Sequence, residues 1–115
     1  GTAEINRVTR FTVNADDTLD MASAETVIEV PAYRGEHEPG HTGGYLHFGP
    51  GGNLYIGVGD DTNPFDSAYA PIDERAGREK FDAQRSSANT NDLRGKILRI
   101  HPEAAGGYTI PAGNL

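Results

Sequence analysis

Three of the four histidines lie close together, within residues 37–47. His37 and His41 with a nearby glutamate could bind a metal ion, because imidazole and carboxylate groups are frequent ligands of divalent metals. Their four-residue spacing matches that of two histidines on one helix face, but Pro39 and Gly40 stand between them and argue against a helix. The spacing therefore does not align the two side chains, and we predict no metal site here.

His41 differs from the other histidines in its sequence context. It precedes a Gly-Gly pair at the start of a predicted strand, and Asp60 lies nineteen residues later, at the end of the next predicted strand. An antiparallel hairpin brings the start of its first strand beside the end of its second, so we predict that the two side chains meet at one rim. A carboxylate partner fixes the imidazole tautomer and favours the protonated ring, as a general base needs. The same hydrogen bond could instead tether two loops without chemistry, and the spacing leaves both interpretations open.

A second group of oxygen-bearing residues begins at Asp60, where residues 60–66 read Asp-Asp-Thr-Asn-Pro-Phe-Asp. Clustered oxygens suit calcium, but the segment lacks the glycine and terminal glutamate of an EF-hand loop. We therefore predict a solvent-exposed acidic loop. The basic residues that follow are interleaved with acidic ones and indicate a mixed surface: Arg75, Arg78, Lys80 and Arg85.

Alternating apolar residues predict the strands that must position these groups. Residues 45–48 and 54–59 alternate around Pro50-Gly51-Gly52-Asn53, which is typical of a β-hairpin. His47 lies opposite Leu46 and Phe48 on the first strand, which predicts a surface or sheet-packing residue. Further strands are predicted at residues 4–13, 25–33, 94–100 and 107–110, with a loop at 34–42. His101 ends the fifth strand beside Pro102, and we expect it to be solvent-exposed.

The stretch from residue 60 to residue 92 has no sustained period of either kind. Residues 72–81 within it have the composition of a short helix, but Gly77 interrupts them, and we predict no long helix. A connection of about thirty residues far exceeds the usual median of roughly 4–6 and is typical of a functional or a disordered loop. With six predicted strands and no long helix, the fold class is all-β.

The composition bounds the size and partners of the protein. The 115 residues and 12.3 kDa suit one domain, and a net charge of −7 argues against binding to nucleic acid or an anionic membrane surface. There is no cysteine, so disulfides and thiolate chemistry are excluded. Leu, Ile, Val and Phe supply only 22 residues, which indicates either a marginal domain or a part of a larger protein whose other parts complete its core. The other features of the sequence favour the second.

Several blocks of the sequence resemble the soluble glucose/sorbosone dehydrogenase family. The first is His41-Thr42-Gly43-Gly44, followed by the hairpin and Gly59-Asp60, and the blocks taken together are more specific than any one of them. Others follow in the order of that family: Ala83-Gln84, Leu93-Arg94-Gly95-Lys96-Ile97-Leu98-Arg99-Ile100, and Tyr108-Thr109-Ile110-Pro111-Ala112-Gly113-Asn114. The family consists of quinoproteins with a six-bladed β-propeller and a pyrroloquinoline quinone (PQQ) cofactor. The resemblance implies that residues 1–115 form about one and a half blades of such a propeller, as an internal fragment with a long loop at about 60–93.

The resemblance also implies roles for two residues. His41 matches the general base that takes the proton from the sugar's anomeric hydroxyl as hydride passes to PQQ, and it thereby also contacts the cofactor. Asp60 matches the acid that orients that base. Gly40 departs from the family, which usually has Asn or Asp before the base. The family's Arg-Asn cofactor contact and its calcium-supporting loop come later in the chain than Leu115, so calcium ligands are expected outside this chain.

The implied activity is that of a PQQ-dependent aldose dehydrogenase, which oxidises aldoses at the anomeric carbon to lactones. Its implied partners are the sugar, an external electron acceptor and the remaining propeller blades, or a second copy at open sheet edges. We expect no nucleic acid and no membrane insertion, a periplasmic or secreted location, and no activity from the isolated 115 residues. The alternative is a propeller of the same family that has lost catalysis and serves as a binding or interaction module, which the Gly40 departure favours.

Overall fold

The computed structural model describes residues 4–32, 40–65 and 70–115, and strands make up most of its regular structure. The six strands are β1 (Ile5–Val13), β2 (Leu19–Pro31), β3 (Gly43–Phe48), β4 (Leu54–Val58), β5 (Lys96–Pro102) and β6 (Tyr108–Thr109). Within the described ranges, helical structure is confined to a 3-10 turn at Pro50–Gly52 and a helix of four residues, α1 (Gln84–Ser87). The predicted all-β class is confirmed at this level.

The strands form two antiparallel sheets. β1 and β2 pair as a long two-stranded ribbon, whereas β3, β4, β5 and β6 form a four-stranded sheet in sequence order. Val8 pairs with Ile28 and Thr9 pairs with Thr26, so Val27 between them has no partner on β1 and forms a bulge. This bulge allows two consecutive residues of β2, Val27 and Ile28, to be buried together.

One apolar cluster joins the ribbon to the four-stranded sheet. Its six buried members come from β2, β4 and β5: Val27, Ile28, Val30, Leu54, Ile56 and Ile100. Burial of each such side chain contributes about 1.5–3 kcal/mol, so this cluster fixes the two sheets against each other. β3 lies at the sheet edge, and all six of its residues are exposed. Leu46 and Phe48 pair with the buried residues Ile56 and Leu54, yet their own side chains are exposed and do not belong to the apolar cluster.

The long connection between β4 and β5 is folded where the structure describes it. Phe81 is its apolar anchor, with a side chain only 1% exposed, and the Arg78 guanidinium lies 4.0 Å from the centre of its ring. Arg78 and Arg75 also hydrogen-bond the buried carboxylate of Asp73, and the hydrogen bond from Arg75 in particular holds the pKa of Asp73 well below its ordinary value. The predicted mixed surface is thus only partly exposed, because Arg78 lies against these two buried residues.

The short helix that the composition of residues 72–81 allowed does not form. These residues form turns and bends, and Gly77 has a φ of +78°, which no right-handed helix accommodates. The helix of this connection is instead α1, which the sequence pattern did not predict. The predicted loop at 34–42 lies mostly outside the described residues, as does His37. No helix among the described residues combines the length and the apolar character needed to cross a bilayer.

Candidate active site

The mouth of the β3–β4 hairpin brings His41 and Asp60 together. Beyond the strand ends, the two chain segments stay paired, because the Gly59 amide donates to the Thr42 carbonyl at 3.3 Å and the Asp61 amide donates to the His41 carbonyl at 3.1 Å. The His41 Nδ1 atom lies 3.0 Å from Asp60 Oδ1. The predicted meeting of these two side chains is therefore confirmed, whereas their catalytic roles stay predictions.

The backbone at this mouth is unusually close and strained. A Cβ atom on Gly59 would lie only 1.6 Å from the His41 carbonyl oxygen, so the hairpin closes here only because residue 59 is glycine. His41 and Asp61 have φ angles of +47° and +61°. The left-handed region costs a residue with a Cβ about 1–2 kcal/mol, and such strain concentrates at functional sites.

The Asp60 carboxylate is held by several donors at one oxygen. Oδ1 accepts hydrogen bonds from the Thr62 amide at 3.0 Å and from the Thr62 hydroxyl at 2.8 Å, besides its contact with His41. Partial burial raises the pKa of Asp60, but the hydrogen bonds from Thr62 and His41 outweigh it and keep the pKa below its ordinary value. Asp60 is therefore ionised at neutral pH, which suits a carboxylate that orients an imidazole and stabilises its charged form.

The connection between β4 and β5 hydrogen-bonds the backbone at the hairpin mouth. The Ser86 hydroxyl donates to the Asp60 carbonyl at 2.6 Å, and the Gly95 amide donates to the Gly59 carbonyl at 2.7 Å. The Lys96 ammonium in turn donates to the carbonyls of Ser86, Ser87 and Arg94, at 2.8–2.9 Å. Residues 86–96 thus fix the backbone on which Asp60 stands.

A partly buried network of ion pairs lies beside Asp60. The Arg94 Nη2 atom is 2.6 Å from Asp92 Oδ2, and Arg94 Nη1 is 3.5 Å from Asp61 Oδ2. The hydrogen bonds from Arg94 hold the pKa of Asp92 below its ordinary value, and the bond to Asp92 in particular raises the pKa of Arg94. These paired charges anchor residue 61, which follows the candidate orienting residue directly.

The prediction of a solvent-exposed acidic loop is wrong for its middle residues. Asp61, Thr62 and Asn63 are all buried, with at most 5% of each residue exposed, because residues 80–95 pack over them. No group of three or more His, Asp or Glu side chains within ranges 4–32, 40–65 and 70–115 is placed to hold a metal ion. Asp66, the last residue of that predicted segment, lies outside these ranges.

Of the other histidines, the two that the structure describes, His47 and His101, do not join the site. His47 pairs with Tyr55 across the hairpin and is exposed, in agreement with a surface residue. His101 was expected to be solvent-exposed, and this is wrong: it is half-buried, and its Nδ1 atom is 3.4 Å from Asn53 Oδ1. The reason is that β5 continues through Pro102, which keeps His101 beside the turn of the hairpin.

Gly40, the residue before the candidate base, has no space for a side chain. It is buried, and a Cβ atom on it would lie 2.1 Å from Pro64 Cδ and 2.7 Å from the Thr62 carbonyl oxygen. An Asn or Asp at this position would require residues 62–64 to move. The contact that the resembling family makes from this position is therefore not available to this backbone.

Sequence reasoning missed Thr62, Ser86, Arg94 and Lys96. A local signal existed for Thr62, because Asp and Asn side chains commonly accept the amide hydrogen two residues on, and Asp60-x-Thr62 has that spacing. The same pattern occurs at Asp16-x-Thr18. No such signal existed for Ser86, which lies 26 residues from Asp60 in the chain.

The described residues define an antiparallel all-β protein with a histidine–carboxylate pair at the mouth of a hairpin. Comparisons with known proteins add no family assignment, since no protein-family model matches the chain and no curated protein matches it. The resemblance carried by the His41–Asp60 blocks therefore remains a hypothesis about function.

Proposed function

We propose that this chain forms about one and a half blades of a six-bladed β-propeller in a PQQ-dependent aldose dehydrogenase. The topology supports the proposal, because β3 to β6 form a four-stranded antiparallel sheet in sequence order, which is the strand arrangement of a propeller blade. β1 and β2 pair apart from that sheet and pack on it through the apolar cluster, as part of a neighbouring blade would.

The observation that carries the catalytic proposal is the 3.0 Å contact between His41 Nδ1 and Asp60 Oδ1. With Nδ1 engaged by the carboxylate, His41 acts as general base through Nε2 and accepts the proton of the sugar's anomeric hydroxyl. The C1–H bond breaks at the same step, its electron pair leaves as hydride, and the C1–O bond becomes the carbonyl of the lactone. PQQ, when bound, would supply the hydride acceptor. Asp60 holds the ring and stabilises the imidazolium that forms.

The residues present fit only part of the implied cofactor site. The His41 side chain is 41% exposed and is accessible to a ligand at the hairpin mouth. Gly40 contributes no side chain, and calcium finds no ligand set among the described residues. As the resemblance implies, the calcium ligands and most quinone contacts would come from other parts of the protein. The external electron acceptor and a periplasmic or secreted location rest on the resemblance.

The test is a dye-linked aldose dehydrogenase assay of the full protein that contains this chain, with PQQ and calcium supplied. A positioned general base contributes about 10²–10⁴ in rate, so His41→Ala should lower turnover at least a hundredfold. His47→Ala is the matched control, because His47 is an exposed histidine on β3 of the same hairpin, away from its mouth. This variant should retain wild-type turnover. An His41→Ala protein that turns over at the wild-type rate would remove His41 from the mechanism.

A second candidate function is a propeller of the same architecture that binds a ligand without catalysis. The specific observation in its favour is Gly40, whose packing against Pro64 leaves no room for the side chain that the resembling family places beside its cofactor. Calorimetric titrations of the full protein with PQQ and with the sugar, together with the dye-linked assay, separate the two functions. Binding with dye reduction supports the enzyme, whereas sugar binding without any affinity for PQQ supports the binding module.

A further inference from the structure

Thr62 contacts both members of the histidine–carboxylate pair. Its hydroxyl oxygen lies 2.8 Å from Asp60 Oδ1 and 3.1 Å from His41 Nδ1, and the residue is completely buried. The His41 Nδ1 atom is therefore flanked by two oxygens, one from the carboxylate and one from the hydroxyl. No role for Thr62 follows from the pairing of His41 with Asp60 alone.

The number of available hydrogens settles the direction of these bonds. An ionised carboxylate has no hydrogen to donate, so the single hydroxyl hydrogen of Thr62 is donated to Asp60 Oδ1. The hydroxyl oxygen then presents only lone pairs to His41 Nδ1, and Asp60 Oδ1 is likewise an acceptor. An imidazole nitrogen between two acceptors is stabilised when it carries the hydrogen.

We infer that Thr62 is a positioning residue that sets the tautomer of His41, keeping Nδ1 protonated and leaving Nε2 as the basic nitrogen of the neutral ring. The amide and hydroxyl of Thr62 both bond Oδ1, so they also fix the rotation of the Asp60 carboxylate. The catalytic value of this tautomer rests on the proposed function, because only a base that acts through Nε2 needs it.

The chain contains a matched turn that lacks the histidine. Thr18 donates its amide at 3.2 Å and its hydroxyl at 2.6 Å to Asp16 Oδ1, which is the same arrangement as at Thr62 and Asp60. The Asp16 turn is exposed and joins β1 to β2. The Asp-x-Thr turn is therefore a local hydrogen-bonded turn that also forms without a histidine. The contact with an imidazole nitrogen distinguishes Thr62 from Thr18.

The test reads the tautomer directly, from long-range ¹H–¹⁵N correlation spectra of the ¹⁵N-histidine-labelled full protein at a pH where His41 is neutral. The wild type should show a protonated Nδ1 and an unprotonated Nε2. Thr62→Val removes the hydroxyl but keeps the shape, and the ratio of the Nδ1–H to the Nε2–H form should fall about two- to tenfold, the effect of one hydrogen bond. Thr62→Ser should restore the ratio, and Thr18→Val should leave it unchanged.

Two outcomes would overturn the inference. One is a wild-type His41 with Nε2 protonated, which needs no variant and so does not depend on the folding of Thr62→Val. The other is a folded Thr62→Val protein with the wild-type tautomer ratio. Because the spectra are recorded without quinone or sugar, an inactive wild-type enzyme would contradict the proposed function while the tautomer result stands by itself.

Discussion

Gly59→Ala tests whether the close approach at the hairpin mouth builds the candidate site. The new Cβ would lie 1.6 Å from the His41 carbonyl oxygen, and Cβ contacts below 3.0 Å are essentially never seen, so that oxygen must move by about 1.4 Å. This movement disrupts the amide hydrogen bonds that Asp61 and Gly59 donate across the mouth. Each bond contributes about 0.5–1.5 kcal/mol, and with some residual strain we expect a loss of about 2–4 kcal/mol in the free energy of unfolding.

The assay is urea denaturation of the full protein, together with the ¹⁵N spectrum of His41, which should change because its ring leaves Asp60. Gly57→Ala is the matched control two residues earlier on β4, since its Cβ would meet nothing closer than 3.7 Å. That substitution should be neutral or stabilise by up to about 1 kcal/mol, because alanine lowers the entropy of the unfolded chain. If Gly59→Ala is as stable as Gly57→Ala and keeps the wild-type His41 spectrum, the steric reasoning is refuted.

Two further predictions concern stability. The folded pKa of Asp60 lies below its ordinary value of 3.8, so its stabilising contribution is present above pH 3.8 and is lost as the pH falls below that value. Between pH 5 and pH 3, urea titrations should therefore show a smaller decrease in the free energy of unfolding for Asp60→Asn than for the wild type. Equal decreases would contradict the ionised contact. Phe81→Ala should cost about 3–5 kcal/mol because Phe81 is fully buried, and should open the connection to limited proteolysis. Phe65→Ala, at an exposed phenylalanine, is its control and should change stability by less than about 0.5 kcal/mol.

The hairpin and its histidine–carboxylate pair were predictable because both depend on local chain geometry. The strand alternation and the glycine turn fix which residues meet, and nineteen residues of separation place His41 and Asp60 at the same end. The burial of Thr62 was not predictable, since it results from residues 80–95 folding back over the hairpin mouth. Residues 72–81 form no helix for a local reason, the positive φ of Gly77, which is the residue at which the sequence indicated an interruption.

The hairpin depends on local contacts, whereas the bonds that fix its mouth come from distant residues, so the two parts are expected to form at different stages of folding. The contacts of β3 with β4 span few residues and lose little chain entropy, so the two strands can associate early. The bonds from Ser86 to residue 60 and from Gly95 to residue 59 close loops of 26 and 36 residues and must form later. We therefore expect the imidazole and the carboxylate to approach each other early in folding and to reach their final orientation only when the connection has docked.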